Sequence, residues 1–147
     1  MSSRLFTEVR EKRGLVYSIN TNYHSLLQHA GMFTYAGTTP GRAQETLDVT
    51  AAEIRRLGED LDAAELDRAR SQLKSGTVMQ GESTSARAMA LVSDWRHLRR
   101  LRGLREIADA IDSVTADDLR QHLAEFPAAH FAVLVIGEEA LNTDSIV

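Results

Sequence analysis

Ser3-Arg-Leu-Phe-Thr-Glu-Val-Arg-Glu-Lys-Arg-Gly-Leu-Val-Tyr17 is the stretch whose reading decides the fold. Leu5, Phe6 and Val9 recur at helical spacing, and Gly14 follows where a left-handed residue commonly closes a helix. The spacing predicts a helix ending at Gly14. Beyond it, Leu15 to Ser25 supplies Val16, Tyr17, Ile19, Thr21 and Tyr23, β-branched and aromatic residues with partial period-two alternation. That pattern predicts a strand. Gly31 to Thr39 carries Met32, Phe33, Tyr35 and the small pair Ala36-Gly37, and reads as its partner across a turn at His29-Ala30-Gly31.

Working outward, Thr39-Pro40-Gly41 has the form of a helix start, because a threonine hydroxyl can cap free amides and proline fills a position needing no donor. That helix is expected to reach about Leu57. Asp62-Ala-Ala-Glu65 matches a capping box, and Leu66, Ala69, Leu73 and Gly76 continue one face toward Gln80 and Gly81. Ser83 to about Leu101 is a third helix, holding Met89, Val92 and Trp95, with Gly103 as its punctuation. Two shorter helices follow, Leu104 to Val114 and one capped by Thr115-Ala-Asp-Asp118 and closed at Pro127. The run Phe131 to Ile136 is too apolar for a half-exposed strand and predicts a central strand buried on both faces.

The order of helix, two strands, several helices and a strand argues for an α+β two-layer sandwich, helices covering one face of a small, mainly antiparallel sheet. The 147 residues, 43% hydrophobic, suit a single domain over 1–147. Its first helix has no strand before it, which leads us to expect a module truncated at its N-terminus. A net charge of −4 with a pI near 5.7 argues against nucleic acid and anionic lipid as general partners. There are no cysteines, so disulfides and thiolate metal sites are excluded. The longest apolar runs are too short for a membrane span, and a cytoplasmic location is expected.

The segment Ser3 to Tyr17 resembles the hallmark of the second domain in each half of pitrilysin/insulinase-type zinc metallopeptidases, a family that includes mitochondrial processing peptidase. Ala36-Gly37-Thr38, Glu65-Leu-Asp-Arg-Ala-Arg-Ser-Gln-Leu-Lys74, Glu82-Ser83 and Ile111-Asp-Ser-Val-Thr-Ala-Asp-Asp118 are similar to it in the same order. The resemblance implies paired α+β domains closing around an extended peptide. Zinc would sit in the other domain, on an H-x-x-E-H helix whose glutamate acts on zinc-bound water. No such motif occurs among His24, His29, His97, His122 and His130, so zinc hydrolysis by this chain alone is excluded on ligands. No cofactor is expected in this chain, and zinc is expected in the partner domain, in the same or another chain.

Arg10 and Tyr17 match positions where active enzymes of the family place an arginine and a tyrosine facing substrate. A guanidinium and a phenol both donate hydrogen bonds that strengthen as a carbonyl oxygen gains negative charge. They are the candidate auxiliary catalytic residues. The alternative is a non-catalytic assembly module of the same fold. Self-association through an uncovered apolar face is a further expectation. His24 and His29, five positions apart, do not share one face of a regular strand and are not expected to bind metal. Glu82 reads as a capping and surface residue. Arg96, His97, Arg99, Arg100, Arg102 and Arg105 read as a solvated corner between helices, where the family more often has a shorter connection.

Overall fold

The computed structural model describes residues 3–128, 131–144 and 146. They form two compact units, one of residues up to Asp60 with those from Arg120 on, the other Leu61–Leu119.

In the first unit the expected opening helix is present but wider than expected. After one turn of ordinary helix it becomes a π-helix over Phe6–Glu11, with Lys12 N–H donating five residues back to Thr7 O at 3.0 Å. Gly14 ends it with φ +60°, while Gly14 N–H reaches Arg10 O and Leu15 N–H reaches Val9 O, both at 3.0 Å. Each of these closing bonds spans one residue more than in the α-helical glycine closure. The spacing of three apolar residues cannot distinguish the two windings.

Strands β1 (Val16–Ser25) and β2 (Ala30–Thr38) pair antiparallel, with Ile19 opposite Ala36, Thr21 opposite Thr34 and Tyr23 opposite Met32. The threonine hydroxyls lie 2.9 Å apart and add a cross-strand bond. The turn falls earlier than the sequence suggested. Leu26 N–H donates to His29 O at 2.7 Å, while Ala30 and Gly31 already pair with Ser25 and His24. Gly31 is thus a strand residue, since glycine permits a turn without compelling one.

Helix α1 (Ala43–Arg55) follows a 3-10 turn at Pro40–Arg42. Thr39 takes the extended capping conformation with Pro40 next, yet its hydroxyl makes no cap bond; the tight turn instead lets Arg42 N–H donate to Thr39 O at 3.0 Å. Val49 of α1 packs with Leu5, Ile19 and Ala36 around the buried trio Val9, Leu15 and Val16. This is the layer of helix on sheet that burial of one face demands.

The expected third strand does not form. Phe131 to Ile136 has no ladder partner among the described residues, where β1 and β2 make the sheet, and Leu134 and Ile136 are 86% and 93% exposed. A strand exists only through pairing, and here the segment is tied to α1 by side chains instead. Arg55 lies 5.3 Å over the Phe131 ring and donates to Ile146 O at 2.9 Å. Gln44 accepts from Asn142 N–H at 2.8 Å and donates to its carbonyl at 3.0 Å. His130 lies outside the described residues.

The second unit holds α2 (Ala63–Gly81), α3 (Thr84–Leu98), α4 (Leu104–Ser113) and the start of α5 (Ala116–Glu125). Asp62 and Ser83 cap α2 and α3, accepting from Ala64 N–H at 3.2 Å and Ala86 N–H at 3.3 Å. Thr115 and Asp118 cap α5 reciprocally, Thr115 N–H donating to the carboxylate at 2.7 Å and Asp118 N–H to the hydroxyl at 3.2 Å. The Thr115 hydroxyl, donating to the same carboxylate at 2.7 Å, and then the Thr115 N–H hold the Asp118 carboxyl below its usual range. Lys74 of α2 meets Asp112 of α4 at 2.7 Å, and Arg70 donates to Val114 O.

Helix α3 ends sooner than its expected boundary near Leu101. Arg99, at φ +56°, supplies the left-handed residue, and Gly103 instead precedes α4 in an extended conformation. The described residues are α+β: in the first unit the π-helix and α1 pack on a small antiparallel sheet, and the second unit is helical. Among the described residues no helix is long and apolar enough to cross a membrane.

Candidate functional site

The π-helix and β1 each present one of the two candidate side chains, separated by the Gly14 corner. That corner is bonded on both sides. The Gly14 carbonyl accepts from Arg42 Nη1 at 2.6 Å, and the Leu15 carbonyl accepts from the Thr38 hydroxyl at 2.6 Å. Thr46, buried on α1, donates to Arg42 O at 2.8 Å and lies 3.1 Å from the Thr38 hydroxyl. The Gly14 corner is therefore fixed to the turn before α1 and to the end of β2 by polar bonds as well as by the Val9, Leu15 and Val16 core.

Arg10 is exposed in the last turn of the π-helix. Its guanidinium stacks over the Phe6 ring four residues earlier, 5.0 Å from the centroid, which limits its rotamers without consuming its N–H donors. The neighbouring cations are engaged otherwise. Glu8 accepts from Lys12 Nζ at 2.6 Å and from Arg13 Nη1 at 3.1 Å, and these partners, Lys12 foremost, draw its carboxyl below the usual range. Among the described residues Arg10 has no ion pair.

Tyr17 is 65% exposed at the start of β1. It occupies a β-bulge: Val16 pairs with Thr38 and Ser18 with Gly37, leaving Tyr17 as the extra residue. Neither candidate is sealed in the core. Among the described residues no hydrogen bond joins Arg10 to Tyr17; what they share is the corner between them.

The other sequence candidates take structural places. The His24 ring meets Phe33 edge-on at 5.2 Å at the hairpin end. Glu82 follows the last residue of α2, and the cap of α3 is Ser83. In the arginine-rich segment, Asp94 accepts from Arg102 Nη2 at 2.6 Å and from Arg102 N–H at 3.0 Å, Arg100 pairs with Glu106, and Arg105 stands 4.0 Å from Asp109. Three cations of that cluster thus face carboxylates, which suits a structural corner. Among the described residues no three His, Asp or Glu side chains gather as a metal site, so these residues do not fit zinc.

Sequence reasoning noted Gly37 only within the stretch Ala36-Gly37-Thr38 and did not single out Arg42, Thr46 or Asp94. For Gly37 a signal existed, since a glycine inside a strand often marks a close approach. The others are ordinary polar residues with partners 4 to 31 positions away in sequence, as Thr46 with Arg42 and with Leu15 illustrates.

Comparison with known proteins agrees with the fold. Residues 1–73 match the family described as the peptidase M16 inactive domain. An uncharacterized zinc protease of Rickettsia bellii is 30% identical over 97% of this chain and 34% of its own length. One from Streptomyces coelicolor is 34% identical over 93% of this chain and 30% of its own. The chain therefore spans about a third of the length of these relatives. Among solved structures, a chain of complex III from Candida albicans superposes with a TM-score of 0.74 at 21% identity, over 85% of this chain and 30% of that one. A protease from Helicobacter pylori gives 0.63 at 23% identity, over 84% and 30%. The chain belongs to the peptidase M16 family, the pitrilysin/insulinase type, through the domain of that family described as inactive.

Proposed function

We propose that this chain is the companion domain of a zinc metalloendopeptidase, holding an extended peptide substrate against a zinc-bearing partner domain and supplying Arg10 and Tyr17 as hydrogen-bond donors. The observation that carries the reading is the corner itself. Two exposed donors flank Gly14, one on a ring-stacked helix end and the other on a bulge, and the Gly14 and Leu15 carbonyls between them are bonded to Arg42, just before α1, and to Thr38, at the end of β2. Preorganised donors lower a barrier when they meet charge that develops only as the reaction proceeds, because they need not reorient at that moment. A guanidinium and a phenol aimed at a peptide carbonyl oxygen have that character. The metal belongs to the partner, and this chain's part is to bind, orient and donate.

Mixing the chain with its zinc-bearing partner, or using the longer protein that contains both, tests this by peptidase rates. Arg10→Ala and Tyr17→Phe should each lower kcat by on the order of 10²-fold to 10³-fold, the scale of losing one oxyanion donor. Wild-type rates in both variants would remove the role and leave a non-catalytic assembly module.

A further inference from the structure

The two glycines nearest the candidate site are needed for opposite reasons. Gly14 has a left-handed backbone and room to spare, for a Cβ there would meet nothing closer than Arg42 Nη1 at 3.7 Å. Gly37 has a backbone outside the left-handed region and no room at all. A Cβ on Gly37 would lie 2.6 Å from Cε2 and 2.8 Å from Cζ of Tyr17, and 2.9 Å from the Ser18 hydroxyl oxygen. What Gly37 contributes is the absence of a side chain.

The bulge explains how two successive residues reach the same spot. Regular alternation sends neighbouring side chains to opposite faces, but an extra residue on one strand breaks that alternation and re-aims what it carries. Here Tyr17 and Ser18 both crowd the place where a residue-37 side chain would stand. The serine hydroxyl can rotate aside. The tyrosine can yield only by carrying its hydroxyl with it, because Cζ, the carbon bearing the phenol oxygen, is itself among the crowded atoms. The hydroxyl end of the ring, not merely its root, rests on the Gly37 backbone.

We infer that Gly37 is a positioning residue for Tyr17, its bare backbone forming the shelf that fixes where the phenol hydroxyl is presented. This rests on the reading of Tyr17 as a donor, and the shelf itself can be tested without that reading. Any side chain on Gly37 displaces the ring from the bulge while leaving the rest of the hairpin paired. In the longer, active protein, Gly37→Ala then mimics Tyr17→Phe: it removes the donor by moving it.

The experiment uses 3-fluorotyrosine in the full chain and reads the fluorine resonances of its three tyrosines, Tyr17, Tyr23 and Tyr35, assigned by single Tyr→Phe changes. In Gly37→Ala the Tyr17 resonance shifts and those of Tyr23 and Tyr35 hold. An unmoved Tyr17 resonance overturns the inference, as does a common shift of all three, which would signal general loss of the hairpin. If Gly37→Ala does not fold, Gly37→Ala with Tyr17→Ala decides the matter: recovery of folding identifies the ring as the obstacle, and continued unfolding contradicts it. In the peptidase assay Gly37→Ala lowers kcat as far as Tyr17→Phe with KM kept, and the two changes together lose no more; additive losses would count against the shelf. A fully active Tyr17→Phe would instead sink the donor role while leaving the fluorine result to judge Gly37 alone.

Discussion

Two corners of this molecule turn on a left-handed residue, and they are built differently. The first, in the unit of the sheet, uses Gly14 at φ +60°; the second, in the helical unit, uses Arg99 at φ +56°. At the first corner the residue type does the work and the surrounding bonds lock the result, with Arg42 and Thr38 donating to the Gly14 and Leu15 carbonyls. At the second the residue type is unfavourable, since a Cβ crowds the backbone there, and the geometry is held from outside. Asp94, 7% exposed, accepts from both the backbone and the guanidinium of Arg102 and draws the chain after α3 back onto the helix. A left-handed corner can therefore be written into one residue or into a pair well apart in sequence.

Substitution separates the two designs. Gly14→Val is the most damaging change, because a β-branched residue opposes the left-handed conformation; we expect a loss of about 2–3 kcal/mol in chemical denaturation. Little of it should come from clash, given the space beside Gly14. A Gly14→Val variant as stable as wild type would mean that the corner does not depend on glycine.

Next in size is Asp94→Ala, which strands the Arg102 backbone N–H and guanidinium. The expected loss is about 1–2 kcal/mol, at the low end for such pairs because the arginine is partly exposed. The bonds from Arg102 hold the Asp94 carboxyl below its usual range. A carboxyl depressed by folding stabilises above its unfolded pKa, near ~3.9, and that contribution disappears as pH falls through the lower folded value. The gap in stability between wild type and Asp94→Asn should therefore be full at neutral pH and close in acid. A gap independent of pH would contradict the ionic account.

The smallest effect has the opposite sign. Arg99→Gly relieves the strain at the second corner and should raise the thermal midpoint, by the equivalent of up to about 1 kcal/mol. A lowered midpoint would show that the Arg99 side chain contributes more than its backbone conformation costs.

The same contrast explains what was legible in the sequence. Gly14, the hairpin residues and the caps at Asp62, Ser83 and Thr115 announce themselves locally, and the structure places an element end or a strand at each. The boundary at Arg99 was hidden because its cause, the Asp94 bond to Arg102, is tertiary, and Gly103 offered a plausible local substitute. Phe131 to Ile136 was misread for a related reason: hydrophobicity describes what a strand would suit, whereas a ladder needs a neighbour, and among the described residues that neighbour is lacking. At the candidate site, Arg10 and Tyr17 were legible as residues. The π-winding and the bulge that carry them were not, since each shifts the count by a single residue within an otherwise regular pattern.

The central claim is that Tyr17 serves chemistry rather than folding, and one variant separates the two. Tyr17→Phe, in the protein that carries both this domain and its zinc-bearing partner, removes one oxygen and keeps the ring. We expect a kcat reduced by on the order of 10²-fold or more with the thermal midpoint unmoved. An unchanged kcat, or a loss of activity that merely follows a loss of stability, would contradict the claim.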